Sequence, residues 1–113
     1  VLTDTGWLQM ENSGSGTDSR GLFVRQIGNI VSIQGYVNTA FRDGGNWGGV
    51  VAVLPNKVQP PKYSVRCAAA NWNDDHKYNR GTTFTIYGGS RKIQLYESGM
   101  YNVNVELNFT YFV

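Results

Sequence analysis

The sequence predicts an all-β domain, an antiparallel barrel or sandwich of about seven to eight short strands. Three observations carry this. Apolar and polar residues alternate with a period of two along most of the chain, and no segment sustains a capped 3.6-residue period. Turn-forming residues, 14 glycines among them, break the alternation at short intervals. The length, 113 residues, suits one domain with one core, read here as residues 1–113 without internal repeats.

The first strand is expected at residues 6–10, where Trp7 reads as structural. Residues 11–20, with Ser13-Gly14-Ser15-Gly16 at the centre, read as a loop. Residues 22–27 and 30–37 form a hairpin about Gly28-Asn29. In its second arm Val31, Ile33, Gly35 and Val37 share one face, with Ser32 and Gln34 on the other. Residues 41–49 hold Trp47 between paired glycines and read as a second loop. A short apolar strand at 50–54 is closed by Pro55, and Pro60-Pro61 bars a central strand there. Strand 63–70 leads into a polar loop at 71–80. Residues 82–87 and 91–96 flank a tight turn at Gly88-Gly89. The last strand, 101–113, points Val103, Val105, Leu107, Phe109, Tyr111 and Val113 one way.

Composition narrows the function. Charged residues are only 16%, and the net charge of +2 is spread along the chain. Lys62, Arg66 and the pair Arg91-Lys92 do not amount to a basic patch, so no nucleic-acid partner is expected. No apolar run approaches membrane-spanning length and no signal peptide is evident, so no membrane insertion is expected. The start at Val1 reads as a fragment of a longer chain. Cys67 is the sole cysteine, which rules out an internal disulfide, and it reads as a small packed residue.

Catalysis is not expected. A thiol nucleophile needs a base, and the chain has one histidine, His76. Glycoside hydrolysis needs two carboxylates facing each other across a bond, whereas Asp74 and Asp75 are adjacent and diverge. One Cys and one His cannot close a zinc shell, and no cofactor is expected. Calcium on Asp74, Asp75 and carbonyls is the remaining metal alternative.

The richest binding chemistry lies at 71–80, Asn-Trp-Asn-Asp-Asp-His-Lys-Tyr-Asn-Arg. Trp72 and Tyr78 offer flat faces for a pyranose ring, Asp74 and Asp75 accept from hydroxyls, and His76 and Arg80 donate. The alternative is a solvated loop whose tryptophan folds onto the core. Trp47 reads as ligand contact, subunit contact or internal anchor. Arg91 with Tyr87 and Tyr96 offers a second cleft wall, although a cross-strand Tyr87–Tyr96 pair is favoured.

Thr5-Gly6-Trp7-Leu8, the run from Val24 to Gly35, Leu54-Pro55 followed by Pro60-Pro61, and a strand-terminated C-terminus resemble the receptor-binding heads of phage tail fibres and baseplates. The similarity is to the heads of phages of lactococci and related Gram-positive bacteria. It implies a homotrimeric β-barrel at the extracellular tip of the virion, binding host cell-surface saccharide without chemistry. It also implies that any binding histidine is His76. Two other readings stay open: a monomeric carbohydrate-binding module of a secreted glycan-degrading enzyme, and a structural tail-assembly domain.

Overall fold

The computed structural model describes residues 3–12, 20–38, 46–72, 81–98 and 104–113. They form nine strands and no helix: β1 (Leu8–Gln9), β2 (Glu11–Asn12), β3 (Leu22–Ile27), β4 (Ile30–Asn38), β5 (Asn46–Val53), β6 (Val65–Trp72), β7 (Gly81–Ile86), β8 (Lys92–Ser98) and β9 (Asn104–Phe112). Hydrogen-bonded neighbours follow the order β1-β3-β4-β9-β6-β7-β8-β5-β2, antiparallel throughout.

The two outermost strands of that order are consecutive in the chain and separated only by Met10. Leu8 and Gln9 pair with Val24 and Phe23, then Glu11 and Asn12 pair with Val53 and Ala52. Met10 itself is buried, and its N–H donates to Leu22 O at 2.9 Å. One N-terminal stretch therefore belongs to both sides, and the ladder closes on itself. Counting β1 and β2 as one interrupted strand gives an eight-stranded antiparallel barrel, flattened into a sandwich. One sheet is β1-β3-β4-β9 and the other β6-β7-β8-β5-β2. They join at Met10 and, on the far side, where Ala70, Asn71 and Trp72 pair with Glu106, Val105 and Asn104.

Alternation explains the core. Val105, Leu107, Phe109 and Tyr111 of β9 point inward beside Val31, Ile33 and Val37 of β4 and Leu22 and Val24 of β3. Phe84 and Ile86 of β7 and Ile93 and Leu95 of β8 meet them from the other sheet. Each such side chain contributes about 1.5–3 kcal/mol on burial. The Phe84 and Phe109 rings lie 4.5 Å apart and join the two layers. Cys67 packs against this core as a partly buried small residue.

Several boundaries correct the expectations. Glu11 and Asn12 are strand rather than loop, because closure of the barrel recruits them. Asn46 to Gly49, expected in a loop, pair with Ser98 to Leu95 at the start of β5. Asn71 and Trp72 belong to the end of β6. Tyr96 stands opposite Thr83 and not Tyr87, which lies beyond the end of β7, so no directly opposed tyrosine pair forms. Tyr87 instead has the Arg66 guanidinium 5.9 Å from its ring centroid.

The barrel has two unlike ends. The strand termini that flank residues 39–45, 73–80 and 99–103 all lie at one of them. The other end holds the Gly28-Asn29 turn, where Gly28 has φ 60°, together with the proline loop and both described chain ends. Thr3 O accepts from Gly28 N–H at 2.7 Å, and Val113 N–H donates to Asn29 O at 2.9 Å.

Buried Gln26 ties that end together. Its amide oxygen accepts from Gln59 N–H at 2.8 Å, and Nε2 donates to Gly28 O at 2.8 Å and Gln59 Oε1 at 2.7 Å. A buried amide with both donors and its acceptor engaged escapes the penalty of unpaired polar groups. Tyr111 Oη donates to Gln59 O at 2.7 Å, and burial pushes its phenol above the usual tyrosine range, opposed by the nearby Arg91 charge.

Candidate functional site

The outward face of β1-β3-β4-β9 carries the binding chemistry that the described residues bring together. Register fixes which side chains share it. Tyr36 stands beside Glu106, Gln34 lies between Phe23 and Asn108, and Ser32 lies between Arg25 and Thr110. A last row, Ile27, Ile30 and Phe112, is apolar and exposed.

Trp7 lies two residues before Gln9, which is opposite Phe23, so it shares the outward phase and reaches Arg25. The Arg25 guanidinium carbon is 6.0 Å from the Trp7 ring centroid, within reach of a cation–π contact. Asp4 clamps that guanidinium. Arg25 Nε donates to Oδ1 at 2.9 Å and Nη2 to Oδ2 at 2.6 Å, while Gly6 N–H donates to Oδ1 at 2.8 Å. These hydrogen bonds, Arg25 first, hold the Asp4 carboxyl at about 2, below its ordinary 3.8.

The sign of the resulting pH dependence follows. A depressed carboxyl favours the folded clamp fully above pH 3.8, and that contribution disappears as pH falls through about 2. The Trp7 indole NMR signal is therefore expected to shift across that acid window, and to stop doing so in Asp4→Asn. An unchanged acid titration in the variant would mean that the pair does not hold the ring.

Trp7 and Tyr36 are each 46% exposed and Phe23 is 40% exposed. Trp7, Phe23, Gln34 and Gly35 line an open groove of about 480 Å³. A second groove of about 300 Å³ continues from Gln34 and Gly35 to Tyr36, Glu106, Leu107 and Asn108.

Elsewhere on this face, polar side chains on facing strands satisfy one another. Ser32 and Thr110 hydroxyls are 3.3 Å apart, and Asn38 Nδ2 donates to Asn104 Oδ1 at 2.7 Å. Gln34 and Asn108 are also directly opposite, yet neither amide side chain hydrogen-bonds to a described residue. Trp7 Nε1 and Tyr36 Oη are likewise without a partner among the described residues. The groove thus presents aromatic surface beside donors and acceptors that are free among the described residues.

Of the residues singled out in the sequence, the structure describes Trp47, Trp72 and Arg91. Asp74, Asp75, His76, Tyr78 and Arg80 lie outside the described residues. Trp72 is placed at the end of β6 with its backbone opposite Asn104, two residues along β9 from groove residue Glu106. Trp47 is opposite Glu97, on β5. Three strand steps separate β5 from β6, although both tryptophans occupy the same end of the barrel. Arg91 Nη1 donates to Pro55 O at 2.8 Å and to Val58 O at 2.5 Å, bracing the proline loop. Among the described residues no cluster of three or more His, Cys, Asp or Glu could hold a metal ion.

No known protein family, no curated protein and no solved structure matches this chain.

Proposed function

We propose that this domain recognises saccharide without catalysis, and that it serves as the receptor-binding head of a phage tail or baseplate protein during host adsorption. The observation that carries the saccharide reading is the pair of exposed rings, Trp7 and Phe23, beside the unpartnered amides of Gln34 and Asn108. A pyranose presents an apolar face of C–H groups and a rim of hydroxyls. The rings take the first, and the amides, each both donor and acceptor, take the second.

The head reading draws on the sequence resemblance. A homotrimer is part of the proposal, and the exposed row Ile27, Ile30 and Phe112 offers apolar area for a subunit contact. Three weak sites on one rigid body then gain avidity with no new contact.

The test is saturation-transfer NMR with glucose, galactose, rhamnose and N-acetylglucosamine, alongside the solution mass by light scattering. Transfer to ring C–H protons is expected for at least one sugar. Trp7→Ala should weaken that binding roughly three- to tenfold, the worth of one stacked ring. Because Trp7 lies outside the core, the variant should stay folded. Transfer that is absent for every sugar, or indifferent to Trp7→Ala and Phe23→Ala, overturns the saccharide site. A trimer supports the phage head, and a sugar-binding monomer favours a single-chain carbohydrate-binding module.

A further inference from the structure

We infer that the face reads a linear oligosaccharide along its strands rather than a single sugar, with Tyr36 as a second aromatic subsite. This rests on the saccharide reading above and adds the length and direction of the ligand. The two grooves share Gln34 and Gly35, so they form one path from Trp7 beside β3 to Glu106 on β9. Tyr36 lies four residues along β4 from Ser32, which stands opposite the Arg25 that Trp7 reaches, so the two rings are separated by roughly 13 Å along the strand. A glycan advances by about one strand spacing per sugar, and the path accommodates three units.

Each end of the path has its own platform, and each platform is held by a different device. Arg25 and Asp4 carry the Trp7 ring. Tyr36 lies down over Gly21: a Cβ at position 21 would meet the ring at 2.6 Å and 2.7 Å. Tyr36 N–H donates to Gly21 O at 3.2 Å, which fixes the strand beneath the ring. The missing side chain at position 21 thus lets the ring pack against the backbone there. Between the two platforms, Gln34 and Asn108 form the cross-strand amide pair left without partners. A site for one sugar would have no use for a second exposed ring on the far side of those amides.

The experiment compares affinities of oligomers of one to five units, in a glucose series and an N-acetylglucosamine series. Affinity should rise roughly three- to tenfold between one and three units and then level off, as a second ring is engaged. Tyr36→Ala should abolish that gain, so that one and three units bind alike. Gly21→Ala should reproduce this by lifting the ring, with Tyr36 intact. Equal affinity for one and three units, or a gain that survives Tyr36→Ala, overturns the inference while leaving the saccharide site standing. Silence of both series at every length overturns the two together.

Discussion

Replacing Phe84 with alanine is expected to cost about 3–5 kcal/mol of stability. Phe84 is fully buried on β7, and its ring meets Phe109 of β9 at 4.5 Å with a tilt of 48°. Phe109 in turn lies 6.3 Å from Tyr111, so one aromatic row runs through the barrel between its layers. Truncating Phe84 removes the member that the second sheet contributes to that row. Both layers belong to one closed ladder, so neither can settle into the space left behind. The loss is a large share of the roughly 5–15 kcal/mol that stabilises an ordinary domain. Urea unfolding should show the midpoint fall at constant slope. A cost below about 1 kcal/mol would mean that the layers re-pack freely, against the behaviour of tightly packed cores.

Gly35→Ala is the second large effect, and its cause lies in the backbone. Gly35 has φ +125°, a region that side chains with a Cβ rarely adopt. An added Cβ would also collide with the Gly21 carbonyl oxygen and stand 3.1 Å from Leu22 Cα. The conformation costs about 1–3 kcal/mol and the steric contact about 1–3 kcal/mol more. Gly89→Ala is the matched control, since Gly89 has φ +77° and nothing within 4 Å of a Cβ. It should lose only the conformational part. Equal losses in the two variants would show that the Gly21 carbonyl yields without cost. Gly35 also lines both grooves, so its variant should disturb ligand binding where Gly89→Ala does not.

The hairpin of β3 and β4 and the alternation of β9 were legible because burial of one face imposes a strict period of two. Val105, Leu107, Phe109 and Tyr111 could be placed inward from spacing alone. The strand status of Asn12 and of Asn46 to Gly49 was not legible. Those residues are polar or glycine, and only their partners across the ladder make them strand. The hydrogen bonds of Arg91 were not legible for a similar reason, since its carbonyl partners lie more than thirty residues upstream.

The groove residues left a readable trace that composition hid. Phe23 sits between buried Leu22 and Val24, so its phase alone turns it outward. Trp7 precedes Leu8, which packs against the core, by the same rule. An aromatic residue in the solvent phase of an amphipathic strand is the signal to seek. The charged run at 71–80 drew attention because its chemistry is visible without any phase. The free amides of Gln34 and Asn108 were beyond reach, because their lack of partners depends on the register of β4 against β9.

The way Met10 divides the first strand also bears on how copies of this protein stay apart. A sheet margin with unpaired amides and carbonyls is a template onto which a second molecule can add its own strand. Here the margins of β3 and β5 both take pairing partners from the same five residues, Leu8 to Asn12. A single short segment thus acts as a double guard against edge-to-edge aggregation. Its two halves are covalently coupled, so releasing either one loosens the other. Any association between subunits is thereby steered away from strand addition and toward the side-chain faces of the barrel.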